Sequence, residues 1–188
     1  MELNIMIQFS IVSSSTRIDR VSHRIALALE KQINSVGHKA KIIDLAELKL
    51  PRFSERYPRI QDKPDSWITT MDSLKEADGI IFLTPEYNGS FSSGLKNFID
   101  VFAKEGFRGK PIGVATGSTG AMGGVRAAYQ LQQVILSLFA YPQPQMLMVA
   151  EMQKKFSESG EIIDADYKIQ FEDFVKKFIV FSAKISSE

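Results

Sequence analysis

The chain has no cysteine. That absence removes disulfides, thiolate zinc sites, iron–sulfur clusters and cysteine nucleophiles together. Any redox chemistry must then be carried by a bound cofactor or by other residue types. An excess of either charge is also missing: 23 Lys and Arg stand against 22 Asp and Glu, a formal net charge of +1. Such a balance gives no electrostatic reason to expect nucleic acid or anionic lipid as a partner. No apolar run approaches the roughly 18–20 residues of a spanning helix, so no membrane association is expected. Residues 1–12 lack the basic leader and cleavage site of a secretory signal, and a cytoplasmic protein is expected. The only two histidines, His23 and His38, have no Asp, Glu or His at ligand spacing, so no metal site is expected.

What remains is an ordinary globular composition: 44% hydrophobic and 24% charged in 188 residues, expected to form one domain over residues 1–188. A chain of this length buries roughly 70% of its unfolded surface. Short apolar runs alternate with helical periodicities. Residues 3–12 read as a buried strand. Val21, Ile25, Leu29, Ile33 and Val36 follow at helical spacing, closed by Gly37. Residues 39–44 read as a second strand, 67–77 as a helix, and 80–83 as a third strand stopped by Pro85. Phe91, Leu95, Phe98, Ile99 and Phe102 form the next helical stripe. Residues 111–115 read as a fourth strand and 145–149 as a fifth, separated by the stripe Val125, Ala128, Leu131, Ile135 and Leu138. A closing helix carries Phe171, Phe174, Val175 and Phe178. Repeated strand–helix alternation implies an α/β sandwich of three layers around a parallel sheet. Five strands in this length suggest the flavodoxin-like order 2-1-3-4-5, with the ligand at the carboxyl ends of the strands. The loops after strands one, three and four are therefore the informative ones.

The first loop, from Ser13 to Ser22, holds the consecutive hydroxyls Ser13, Ser14, Ser15 and Thr16, then Arg17 and Arg20, at the start of a helix. Hydroxyls, backbone N–H groups at a helix N-terminus and guanidiniums together favour an anion such as a monophosphate. A capped helix on a Ser-rich turn is the plain alternative. The loop has no glycine, which excludes both the G-x-G-x-x-G turn and the Walker A loop. The third loop, TPEYNGSFSSGLKN over residues 84–97, sets an aromatic face beside amide and carboxylate groups, which suits a flat heteroaromatic ring. It would equally serve as a strand-to-helix turn. The fourth loop, Gly117 to Gly124, is rich in glycine but has the wrong spacing for a dinucleotide fingerprint. No acid follows it before Glu151. The connection over residues 49–66, with Pro51, Pro58, Pro64 and five basic residues, stands outside this rhythm. Connections of that length are often functional.

The third loop is similar to the Pro-Glu-Tyr-Asn-Gly signature of the NADPH-dependent FMN reductase family, flavodoxin-like enzymes that include quinone, azo-dye and chromate reductases. Ser15-Thr16-Arg17 with Val21-Ser22 resembles that family's phosphate loop. Gly117 to Gly124 with the following Val125-Arg126 resembles its third flavin loop. The family usually has glycine where Ser14 stands. The resemblance implies that Ser15, Arg17, Val21 and Ser22 hold the FMN phosphate. It implies that Pro85, Glu86, Tyr87, Asn88 and Gly89 line the isoalloxazine, and that Ser118 and Gly120 approach its pyrimidine edge. No side chain need be an acid, base or nucleophile, so no catalytic residue is assigned; NADPH or NADH would be the co-substrate. The expected partners are a small electron acceptor (a quinone, azo compound, free flavin or metal oxyanion) and further copies of the chain in a homodimer or homotetramer. The 49–66 connection is expected to fold over a neighbouring subunit near the flavin. Two other readings compete. A flavodoxin-type electron carrier docking protein partners is usually strongly acidic, unlike this chain. A non-catalytic module with a relic pocket would not need intact phosphate and ring loops.

Overall fold

A computed structural model describes residues 6–186. The strands are β1 (Gln8–Ser13), β2 (Lys39–Asp44), β3 (Gly79–Tyr87), β4 (Ser90–Phe91), β5 (Pro111–Gly117), β6 (Tyr141–Pro142) and β7 (Leu147–Val149). The helices are α1 (His23–Ser35), α2 (Leu45–Leu48), α3 (Asp65–Glu76), α4 (Ser93–Phe107), α5 (Val125–Ser137) and α6 (Ala165–Ser186). Residues 3–5 of the expected first strand lie outside the described residues. The strand order is β2-β1-β3-β5-β6, all parallel; β7 also pairs with β5, and β4 pairs antiparallel with β3. With β6 and β7 sharing the outer place beside β5, this is the expected flavodoxin-like order.

The two faces of the central strands alternate residue by residue, as the period of two demands. Phe9, Ile11, Ile81, Leu83 and Ala115 face α1 and α6, where Ile25, Leu29, Phe171, Phe174 and Phe178 complete one core. Val12, Ile80, Phe82, Ile112 and Val114 face α3, α4 and α5, where Leu74, Phe98, Phe102, Leu131 and Ile135 complete the other. Both faces are covered, so β3 and β5 read as nearly unbroken apolar runs.

Two strand expectations are corrected. Pro85 does not stop β3, which runs on to Tyr87 with Pro85 paired to Gly117. The β1 ladder ends at Ser13–Leu83, and the Leu83 carbonyl, which accepts from the Ser14 N–H, faces that side. By alternation the Pro85 nitrogen points the same way, where no ladder bond remains to be made. Glu86 and Tyr87 then turn through Asn88 (φ 50°) and Gly89 (φ 79°) to pair with β4. Those two left-handed residues make the tight turn that a two-residue hairpin requires. The fifth strand, expected over residues 145–149, is instead two short pieces. Pro142 and Pro144 lack the N–H a continuous ladder needs, and only the Gln143 N–H bridges the gap, to the Ile112 carbonyl at 2.9 Å.

The 49–66 connection is pinned to its own α4. Asn97 accepts from the Phe53 N–H (2.7 Å) and donates to the Pro51 carbonyl (2.8 Å). The Tyr57 ring stacks on Phe102, with centroids 5.5 Å apart.

Candidate functional site

The loops after β1, β3 and β5 meet at the carboxyl ends of the strands and enclose a cleft of about 280 Å³. Its walls include Ser15, Arg17, Val21 and Ser22 from the first loop, Pro85, Glu86 and Tyr87 from the end of β3, and Ser118 after β5. Of the residues singled out from the sequence, Asn88, Gly89 and Gly120 are not among the lining ones. Asn88 and Gly89 form the hairpin tip, where the Gly89 carbonyl accepts from Gln130 Nε2 at 2.9 Å. The Gly120 N–H is turned back to Ser118 Oγ at 3.1 Å.

The first loop is built from buried hydroxyls. Ser13, Ser14, Ser15 and Ser22 are each 3% exposed or less. The Ser14 hydroxyl accepts from Ser92 Oγ at 2.9 Å. Ser92 in turn caps α4 by accepting from the Leu95 N–H. The Ser14 side chain thus ties the first loop to the third. Ser22 precedes α1 but makes no side-chain cap bond, which leaves a buried hydroxyl at a helix N-terminus facing the cleft. The left-handed position of this glycine-free loop is taken by Asp19 (φ 55°), a residue that tolerates it. Arg17 is exposed, with its guanidinium carbon 5.9 Å from the centre of the Tyr87 ring. It pairs with no carboxylate among the described residues.

A second layer lies behind this loop. Arg20 grips both oxygens of Asp44, at the end of β2, and donates to the Ser15 carbonyl at 3.1 Å. Burial works to raise the Asp44 carboxyl, but the hydrogen bonds from Arg20 and the Ala46 N–H overcome it and hold the pKa below the usual range. His23 Nδ1 lies 3.0 Å from Ser13 Oγ and 3.8 Å from Asp44 Oδ2. Both partners meet the same ring nitrogen, so the trio is no Ser-His-Asp relay, which would need both nitrogens. Burial first, and then the Arg20 charge, lower the His23 pKa, which favours the neutral imidazole.

The other side of the cleft hangs from two buried threonines that are neighbours in the β3–β5 register, Thr84 and Thr116. Thr84 Oγ1 accepts from the Ser92 N–H (2.9 Å), and Thr116 Oγ1 donates to the Gly123 carbonyl (2.7 Å). Gly124 (φ 82°) turns the glycine-rich loop into α5, and a Cβ there would come within 2.9 Å of Thr116 Cβ. Glu86 does not offer its carboxylate to the cleft unpaired. It accepts from the Arg126 N–H at 3.1 Å and from Arg126 Nε at 2.8 Å, and so closes the N-terminus of α5. Tyr87 OH meets Ser15 Oγ at 2.8 Å and joins the two ends of the cleft. Sequence reasoning missed Asp44 and Thr116. Asp44 was the findable one, since it stands at the carboxyl end of a strand in a doubly wound sheet.

The profile of the family described as NADPH-dependent FMN reductase matches residues 7–154. A quinone reductase of Escherichia coli (strain K12) is 36% identical over 98 residues, which is 50% of this chain and 52% of that protein. The chain thus spans about half the length of that relative. A quinone reductase of Pseudomonas putida (strain KT2440) is 29% identical over 161 residues, 82% of this chain and 84% of that protein. Among solved structures, FerB, a flavoenzyme NAD(P)H:(acceptor) oxidoreductase from Paracoccus denitrificans, superposes with a TM-score of 0.78 at 23% identity. That superposition covers 95% of this chain and 98% of that one.

Proposed function

The chain belongs to the NADPH-dependent FMN reductase family, a family of flavin-dependent oxidoreductases, and we propose that it passes two electrons from NADPH or NADH through FMN to a small acceptor such as a quinone or azo compound. The observation that carries this reading is the single cleft in which Ser15, Arg17 and Ser22 face Pro85, Glu86, Tyr87 and Ser118. The residues fit the cofactor. A buried hydroxyl without a cap bond and a guanidinium without a carboxylate suit a phosphate. The β3 hairpin and the glycine-rich loop offer backbone groups to a planar ring.

Bound FMN supplies the two-electron chemistry itself. The protein supplies position. Ser15, Arg17 and Ser22 would hold the phosphate, with Val21 beside them at the same helix start. The backbone from Pro85 to Tyr87 would support the ring and Ser118 would approach its polar edge, with Asn88, Gly89 and Gly120 at the rim beyond the lining residues. Tyr87, on the cleft wall, would stand beside the face offered to a nicotinamide. The proposal includes a cytoplasmic setting and a homodimer or homotetramer. The exposed Tyr129, Leu136 and Phe139, on α5 and just beyond it, favour self-association. The 49–66 connection would then shape the acceptor site from the same side.

Purified protein should be yellow and release FMN on denaturation. Without oxygen, NADPH or NADH should bleach it and a quinone should restore the colour. Recovery of FAD, or failure to take up added FMN, would overturn the reading. No bleaching by either nicotinamide, with electron transfer to a protein partner instead, would favour the carrier. Light scattering that shows only monomer would remove the oligomer from the proposal.

A further inference from the structure

We infer that Arg20, held by Asp44, is the positioning residue of the phosphate loop and is not a phosphate ligand. The inference rests on the FMN reading above. Both arginines of the loop line the cleft, and composition alone would assign both to the anion. Geometry separates them. The Arg20 guanidinium makes a two-pronged bond to Asp44, the planar match that arginine and carboxylate form best. It spends a further N–H on the Ser15 carbonyl, at 3.1 Å. The side chains of Arg20 and Asp44 are 18% and 9% exposed, so the pair is largely withdrawn from water.

Three consequences follow for the loop. The first is electrostatic: Asp44 cancels the Arg20 charge, and Arg17 is left as the loop's unpaired guanidinium. The second concerns the backbone. A free carbonyl aimed at a phosphate would repel it, and the bond from Arg20 occupies the Ser15 carbonyl. The third concerns shape. Phosphate loops commonly use glycine to bend closely around their guest, and this loop has none. A cross-link from residue 20 to the carbonyl of residue 15, anchored on the edge strand β2, holds the bend instead. His23 lies beside the same anchor, with its Nδ1 3.0 Å from Ser13 Oγ.

The test separates a phosphate-loop brace from a phosphate ligand and from a general support. FMN and riboflavin differ only by the phosphate, so both are titrated into flavin-free full-length protein. In Asp44→Asn and in Arg20→Gln, FMN affinity should fall about tenfold, the equivalent of one charge-assisted hydrogen bond, while riboflavin affinity stays unchanged. The double variant should bind FMN no more weakly than either single one, because the two residues act as a unit. If Asp44→Asn binds FMN as tightly as the parent, or more tightly, the freed Arg20 is a ligand and the inference fails. If both flavins weaken together, the pair is a general support and the inference again fails. Should Asp44→Asn not fold, Arg20→Lys carries the same test. It keeps the charge but cannot span two carboxylate oxygens and a carbonyl, so FMN should weaken and riboflavin should not. A parent that binds neither flavin overturns the FMN reading as well. A parent that binds FMN beside an Asp44→Asn variant of full affinity overturns this inference alone.

Discussion

The two ends of the cleft, proposed for the phosphate and for the ring, are made of different materials. At the first, four buried serines, an ion pair and a histidine fix a loop with no glycine. At the second, Asn88 and residues 119–122 are exposed, and left-handed backbone at Asn88, Gly89, Gly123 and Gly124 shapes the rim. The buried hydroxyls of Thr84 and Thr116 moor that rim from below. The contrast matches two tasks. Affinity gains from groups ordered before the ligand arrives. On the proposed function, a ring face that meets a nicotinamide and then an acceptor needs clearance, which small residues and an open rim provide.

The largest effect should come from removing the one guanidinium left to the anion. Arg17→Ala should weaken FMN binding about ten- to a hundredfold, the worth of one charge-assisted bond at about 1.5–3 kcal/mol, and leave riboflavin binding alone. Fluorescence titration checks it, and equal losses for both flavins would blur the two ends into one. Next is Gly124→Ala at the ring end. A side chain at φ 82°, with its Cβ 2.9 Å from Thr116 Cβ, should cost about 1–3 kcal/mol and lower Tm by several degrees. Calorimetry showing no change would mean that the rim yields more than described. Tyr87→Phe cuts the link between the ends, the 2.8 Å bond to Ser15. A loss of about 0.5–1.5 kcal/mol is expected, shared by FMN and riboflavin because it loosens the contact between ends and not the phosphate loop itself; isothermal titration would measure it.

The smallest effect is a pH slope at the phosphate end. Burial and Arg20 depress the His23 pKa from 6.5, so below that pH the unfolded chain takes up a proton that the folded chain refuses. Stability should therefore decline as pH falls from 6.5 toward the folded value. Asp44 acts lower down. Its depressed pKa gives stability that is present above 3.8 and lost as pH falls through the folded value. Melting curves of His23→Gln should lose the upper slope and keep the lower one. An unchanged upper slope would assign it to another group.

Most of the fold was legible because it is periodic. The stripes of α1, α4 and α5 and the apolar runs of β3 and β5 carry their period in adjacent residues. The misreadings came where a proline's meaning depends on a partner strand. Pro85 is tolerated since its nitrogen faces the side where the β1 ladder has ended, and Pro142 and Pro144 split an edge. Nothing in the sequence marks Ala103, which sits at φ 43° inside α4, because alanine is the best of helix formers. The site was legible where its residues are local, in the serine loop and at the end of β3. The Arg20–Asp44 pair was not. Its members stand 24 residues apart, on a loop and a strand that only tertiary folding brings together.

The division of the last strand into β6 and β7 bears on how the protein behaves when crowded. A parallel sheet has two open margins, and each can template a neighbouring chain into a growing fibril. Here the β2 margin carries the exposed Lys39 and Lys41, whose charges repel a second copy laid alongside. The other margin has no continuous row of N–H groups to offer, because Pro142 and Pro144 interrupt it. Replacing those prolines to mend the strand would therefore create a surface on which identical chains could zip together.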